Sequence, residues 1–330
     1  MQKKLLLPLL LLPLFTLLNF TTPRIVPAGA ANHPPKALSG KITMSGAYAL
    51  YPMAVKWGEE FRKLNPGVTF DIQGGGAGKG MTDVLSGTVN FGMVSRDISP
   101  DEVKKGAYGI AVCKIAVIPV INPNNPYIEL IKQKGITRDQ FYKIFISGEI
   151  TTWGEVLGNK SMKPIKIFTR SDAAGAAESW AKFLGSSYKQ EDLGGTGVFG
   201  DPGLAQAVAK DPLAMGFNNI NFVYDNKSRK PQPGLFPCPI DLNNNRVFDA
   251  AENVYGSLDI IDDAILSGAY PSPPARALYL VTKGKPGNPL MVAFLQWALS
   301  DGQKYLDEAG FVKLPADLLK KELSALTASN

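Results

Sequence analysis

Residues 41–94 read KITMSGAYALYPMAVKWGEEFRKLNPGVTFDIQGGGAGKGMTDVLSGTVNFGMV, and strand and helix periods alternate along them. Lys41–Ser45 is a short strand. In Pro52–Leu64, Met53, Trp57, Phe61 and Leu64 recur at spacings of four, four and three, which is one face of a helix, and Pro52 suits its first turn. Val68, Phe70 and Ile72 alternate as a strand, Gly74–Gly78 turn, Lys79–Ser86 form a short helix and Val89–Val94 another strand. Strand, helix, strand, helix, strand with right-handed crossovers means a parallel sheet. Ligands in such sheets sit at the carboxyl ends of the strands.

Outward from this unit, Ile110–Asn122 is a near-continuous apolar run suited to a buried strand, and Asn122-Pro123-Asn124-Asn125-Pro126 breaks it and reads as a crossing point. Thr137–Ser147 is expected as a helix with Phe141, Ile144 and Phe145 on one face. Ile165–Phe168 is expected as a strand, Ala174–Leu184 as the helix after it, and Pro202–Lys210 as a further helix with Asp201 as its N-cap. Leu278–Thr282 reads as a strand and Pro289–Asp307 as a helix. The expectation is an α/β chain of two lobes: residues 36–122 and 271–330 form a discontinuous first lobe, and 123–270 form the second.

The 330 residues include 35 Lys+Arg, 29 Asp+Glu, one His and two Cys, and 45% are hydrophobic, a core-forming composition long enough for two domains. Lys3-Lys4, the apolar stretch Leu5–Phe20 and the small residues Ala28-Gly29-Ala30-Ala31 make 1–31 a signal peptide. A membrane anchor is the alternative, but Pro8 and Pro13 interrupt the stretch, which falls short of the roughly 20 residues that span a bilayer. The first Cys is Cys113, so no thiol is available to lipidate the mature N-terminus, and a soluble exported protein, periplasmic or extracellular, is expected. Without the leader, 32 basic residues face 29 acidic ones, which gives no footprint for nucleic acid. The lone His33 excludes Ser-His-Asp, Cys-His and His-ligated metal chemistry. Export permits a Cys113–Cys238 disulfide without requiring one.

Three loops share one design, a strand followed by small residues and a helix N-terminus: Ser45-Gly46-Ala47-Tyr48, Gly74–Gly80 and Arg170–Ala176. Free N–H groups and the helix dipole make such places anion sites. Nucleotide motifs fail on spacing. A Walker A motif ending at Gly78-Lys79 needs Gly at Gln73 and Ser or Thr at Gly80, and G-x-G-x-x-G begun at Gly74 needs Gly at Lys79.

In order along the chain, Ile42–Pro52, Gly74–Arg96, Ile110–Pro126, Ile144–Trp153 (IFISGEITTW), Arg170–Gly175, Ala207–Phe217, Tyr270–Lys283 (YPSPPARALYLVTK) and Ala293–Leu314 resemble the phosphate-binding proteins of bacterial ABC transporters. The resemblance implies the type II periplasmic-binding-protein fold, with two hinge-connected αβ lobes. It also implies a non-enzymatic, monomeric solute-binding protein that takes a small oxyanion, phosphate first, between the lobes and passes it to ABC permease subunits. Carried over by motif, the ligand-binding positions are Ser45, Gly46, Ala47, Tyr48, Gly76, Ala77, Gly78, Ser95, Arg96, Arg170, Ala174, Gly175 and Ala176. The family usually has Ser or Thr where this chain has Ala47, Ala77, Ala174 and Ala176. Each lost hydroxyl removes a hydrogen bond to a charged group, worth about 1.5–3 kcal/mol. The expectation is therefore a retained anion pocket with weaker or altered ligand choice, and a cleft turned to sensing or adhesion is the alternative.

A second motif is independent of the loops. Asp241, Asn243, Asn245, the Val247 carbonyl, Asp249 and Glu252 stand at positions 1, 3, 5, 7, 9 and 12 of a calcium-type loop, 241–252, whose ion would be structural; no other cofactor is expected. Arg246 occupies position 6, where Gly is usual, at a cost of about 1–2 kcal/mol for left-handed backbone. The alternative is an Asn-rich solvated turn. Arg276 is expected in a structural ion pair near the hinge, with a place in the cleft wall as the alternative, Lys79 in solvent, and Trp57, Trp180 and Trp297 in the core.

Overall fold

The computed structural model describes residues 38–327, so the leader assigned to 1–31 lies outside them. The repeat of 41–94 folds as its periods require. Strands β1 (Ser39–Gly46), β2 (Gly67–Gly74) and β3 (Phe91–Val94) are parallel in the order β2-β1-β3, and the helices Tyr51–Leu64 and Ala77–Ser86 connect them. Gly46 ends β1 at φ 132°, where a Cβ would collide with the Met93 carbonyl and the Gly80 backbone. Glycine there lets the loop after β1 lie against the helix that follows β2.

The remaining strands are β4 (Ala107–Ile121), β5 (Ile136–Thr137), β6 (Lys166–Arg170), β7 (Thr196–Val198), β8 (Ala214–Asn219), β9 (Phe236–Pro237), β10 (Ile240–Asp241) and β11 (Ala275–Lys283). The main sheet has the order β2-β1-β3-β11-β4-β8-β6-β7; β9 also pairs with β4, while β10 and β5 form a separate ladder. The fifteen-residue β4 belongs to both halves of this sheet. Its residues 107–116 pair antiparallel with β11, and Val117–Ile121 pair with β8. The change of partner thus falls inside the strand, between Ala116 and Val117, rather than at Asn122–Pro126. Asn122 instead donates from its side chain to the Val208 and Ala209 carbonyls at 3.0 and 2.8 Å. The chain crosses back just before β11, and both crossings meet at Val117: the Tyr270 hydroxyl donates to its carbonyl (2.6 Å), and its N–H donates to the Pro274 carbonyl (3.3 Å).

Each half has its own aromatic core. Phe61, Phe70, Phe91, Phe294 and Trp297 pack around one, with centroids 5.3–6.4 Å apart. Phe141, Phe145, Trp180, Phe183 and Phe217 pack around the other. Burial of each large ring contributes about 1.5–3 kcal/mol.

Several expectations change. The helix expected over Pro289–Asp307 stops at Ala298, because Gln303 turns back to donate to the Ala298 and Val112 carbonyls and short 3-10 turns follow. Asp201 is not an N-cap: the helix is Gly200–Lys210, Phe199 precedes it, and the Asp201 carboxylate faces inward. Cys113 and Cys238 are both buried free thiols, so no disulfide joins them. Burial alone pushes both thiol pKa values well up. The helices Leu258–Ser267 and Ala316–Thr327 and strand β8 are additions to the sequence reading.

Trp57 ties the first helix to the chain's far end, its indole N–H donating to the Gly302 carbonyl at 2.9 Å. Trp57→Phe keeps most of the ring but strands that carbonyl, so it is expected to cost about 1–3 kcal/mol in urea unfolding. Trp297→Phe, whose indole N–H has no partner, is expected to cost less.

Candidate functional site: a cavity at converging strand ends

The carboxyl ends of β1, β3, β6 and β8 point at one place. There a narrow cavity, too tight in this structure to admit a water molecule, is lined by Ala47, Tyr48, Ala49, Gly76, Ala77, Ser95, Arg170, Ala174, Gly175, Ala176, Asp201 and Asn219. Both halves contribute. Tyr48 meets Phe199 edge-on at 6.0 Å, and the Arg170 guanidinium lies 6.0 Å from the Tyr48 ring centre. The Asn221 side chain donates to the Ala49 carbonyl at 3.1 Å, and the Gly78 N–H donates to the Ala173 carbonyl at 3.1 Å.

The donors are mostly backbone. The helix Gly175–Leu184 starts without a side-chain cap, so the N–H groups of Gly175, Ala176 and Ala177 have no acceptor one turn back. The helix after Gly76 is likewise uncapped and leaves the Ala77 N–H open. Ser95 adds a buried hydroxyl.

Behind the donors runs a buried polar chain. Arg170 donates through Nε and Nη2 to Asp172 (2.8 and 2.6 Å) and through Nη1 to Asp201 (2.7 Å). Asp172 also accepts the Gly200 N–H at 3.0 Å. Asp201 accepts from the Asn219 amide at 2.8 Å, the Asn219 oxygen accepts from Arg276 Nη2 at 2.6 Å, and Arg276 Nε donates to the Ser95 carbonyl. Burial works against the Arg170 charge, but Asp201 and Asp172 outweigh it and hold its pKa above the ordinary value. Arg276 has no carboxylate partner, and burial, only partly offset by Asp201, pushes its pKa down to about 10. It remains a cation at neutral pH. Two cations and two carboxylates leave the surroundings near neutral, so the local field at the cavity comes largely from oriented N–H groups.

Nine of the thirteen positions carried over by motif line this cavity. Four do not. The Ser45 hydroxyl donates to Asp83 Oδ2 at 2.7 Å, and the Gly46 carbonyl accepts the Gly75 and Gly76 N–H groups. Gly78 donates across to Ala173. Arg96 turns away and forms a two-pronged pair with Glu102 at 2.9 and 2.7 Å, the same carboxylate that caps Ser99 N–H at 2.8 Å. Asp172, Asp201 and Asn219 were missed. Asp172 lies in the quoted Arg170–Ala176 loop, and Asp201 carried a competing signal as a cap. Asn219 lies two residues past a segment that carried the resemblance. Arg276 is buried, but it bonds the Ser95 carbonyl and Asn219 instead of forming the ion pair expected of it. Lys79 is exposed, but it pairs with Asp83 rather than standing free in solvent.

A family model described as the PBP superfamily domain matches residues 31–302. The chain belongs to the PBP superfamily. Among relatives, a Staphylococcus haemolyticus protein named phosphate-binding protein PstS is 25% identical over 309 residues, 91% of this chain and 89% of that one. One of the same name from Pseudomonas aeruginosa is 26% identical, covering 88% of each. Among solved structures, a putative phosphate ABC transporter substrate-binding protein with bound phosphate from Clostridium perfringens superposes with a TM-score of 0.67 at 20% identity, over 84% of this chain and all of that one. An ABC-type phosphate transport receptor from Vibrio cholerae gives 0.61 at 19% identity, over 83% of this chain and all of the other. The architecture of this PBP-superfamily chain is the type II periplasmic-binding-protein fold.

Gly175 stands where the halves touch, and a Cβ there would run into the Ser95 carbonyl and hydroxyl. Gly175→Ala is therefore expected to lower unfolding stability by about 1–3 kcal/mol, read from the denaturant midpoint. A neutral result would mean that β3 and the helix start do not close on each other in solution.

Proposed function

We propose that this chain captures phosphate in the cavity between the two halves of its sheet and hands it to the permease of an ABC importer. The observation that carries the reading is the convergence of uncapped helix starts, the Ser95 hydroxyl and Arg170 on one small space, in a chain whose relatives are named for phosphate binding. Backbone N–H groups take over from the hydroxyls missing at Ala47, Ala77, Ala174 and Ala176, with the helix dipoles behind them. Asp201 also lines the cavity. A carboxylate accepts hydrogen bonds and repels a bare anion, so an oxyanion that keeps a proton at neutral pH is favoured over sulfate, which has none to give.

The reading is binding without catalysis, by a monomer working outside the cytoplasmic membrane. In support, the cavity hydroxyl of Ser95 neighbours an arginine rather than a base. Among the described residues, no helix is long and apolar enough to cross a membrane. The names of the solved structures, a phosphate ABC transporter substrate-binding protein and an ABC-type phosphate transport receptor, favour transport over a cleft kept for sensing or adhesion.

Calorimetric titration of the mature chain, unfolded and refolded to strip carried ligand, tests this. Phosphate is expected to bind at one site, with sulfate at least about tenfold weaker. Ser95→Ala is expected to weaken phosphate by about 1.5–3 kcal/mol, as for a hydrogen bond to a charged group. Silence towards every oxyanion, or equal affinity for sulfate, would overturn the proposal.

A further inference from the structure

The loop 241–252 lies away from the cavity and carries an unmet demand for positive charge. Asp241 ends β10, which pairs in parallel with β5, and its side chain is 0% exposed. One of its oxygens, Oδ2, accepts the Arg246 N–H at 2.8 Å; the other, Oδ1, is buried without a partner. At the far end Glu252 is 6% exposed. Its Oε1 accepts the Leu242 and Asn243 N–H groups at 2.7 and 3.1 Å, and its Oε2 is again buried without a partner. An unpaired carboxylate oxygen inside a protein is costly. Here two of them bracket one twelve-residue loop, at its first and last positions.

The residues between fold the loop around its own oxygens. Asn243 Oδ1 accepts the Asn245 N–H at 3.0 Å, Asn245 Oδ1 accepts the Val247 N–H at 2.8 Å, and Asp249 Oδ1 accepts the Ala251 N–H at 3.0 Å. Arg246 adopts the left-handed backbone, φ 65°, that the sequence had marked as the obstacle. Its guanidinium is drawn off to the Val156 carbonyl at 2.7 Å, so it does not fill the loop with charge. Asp241, Asp249 and Glu252 do not by themselves form a three-carboxylate cage. Amide and carbonyl oxygens must complete any shell.

We infer that residues 241–252 form a binding site for one calcium ion, held by Asp241, Asn243, Asn245, the Val247 carbonyl, Asp249 and Glu252. An all-oxygen donor set of mixed carboxylate, amide and carbonyl, at this spacing, suits a hard cation with flexible coordination, which is calcium rather than magnesium or a transition metal. Binding brings a cation to the two orphaned oxygens. It also clamps the loop to the helices beside it, which it already touches through Arg246 and through the Phe248 N–H on the Gln133 carbonyl, 2.8 Å. The inference is independent of the phosphate reading, since no residue is shared with the cavity.

The test is titration of the chelator-stripped mature chain with CaCl2 in phosphate-free buffer, by calorimetry and thermal unfolding. One calcium per chain is expected, with the melting temperature raised by roughly 3–8 °C at about 100-fold excess over the dissociation constant, and a smaller rise with MgCl2. Glu252→Gln keeps an acceptor for the Leu242 and Asn243 N–H groups while removing the charge, and is expected to weaken calcium at least about tenfold. Asp249→Asn, less buried, serves as the second variant should Glu252→Gln fail to fold by circular dichroism. Both are expected to leave phosphate titrations unchanged, which separates a failure here from a failure of the phosphate reading. No heat and no shift in the parent chain at about 10 mM CaCl2, or an undiminished shift in the variants, would overturn the inference.

Discussion

Everything about the cavity depends on a chain of buried charges and amides in which each member completes the next: Ser95 carbonyl, Arg276, Asn219, Asp201, Arg170, Asp172. A buried ion left unpaired costs several kcal/mol, so no link is dispensable on its own. The chain also crosses between the halves, because Arg276 and Ser95 lie in one and Asn219 in the other. Closing the halves and satisfying the charges are one event. The alanines of the anion loops fit this arrangement. With three of Arg170's N–H groups already given to two carboxylates, the cavity relies largely on main-chain dipoles, which do not change with side-chain identity.

The elements of the fold were legible because core-facing side chains recur at fixed spacings: Met53, Trp57 and Phe61 on a helix, Val68, Phe70 and Ile72 on a strand. Their ends were less so. The helix from Pro289 is expected to run on to Asp307 because Phe294–Leu299 is apolar but for Gln296, while the stop is made by Gln303 folding back onto it. Strand β8 was passed over because Met-Gly-Phe-Asn-Asn has neither clean alternation nor a turn signal.

The site was legible as loops but not as partnerships. Arg96 and Arg170 look alike in sequence, each closing a strand before a loop of small or polar residues. What separates them is the acid each meets: Glu102, six residues on in a capping box with Ser99, claims Arg96, whereas Asp172 and Asp201 hold Arg170 against the cavity. The Ser99-x-x-Glu102 pattern was the available signal. Asp201 misled in the opposite direction, since an Asp before a Pro resembles a cap and only the tertiary fold turns it inward.

Val117 gathers both passages of the chain between the halves, one through β4 itself and one held by Tyr270 and Pro274. Because β4 is laddered to β11 on one side of that residue and to β8 on the other, neither half is free to slide along the strand without breaking a register. Any relative movement of the halves that kept both registers would have to turn about the Val117 peptide, because the ladders on either side of it are fixed to different partners.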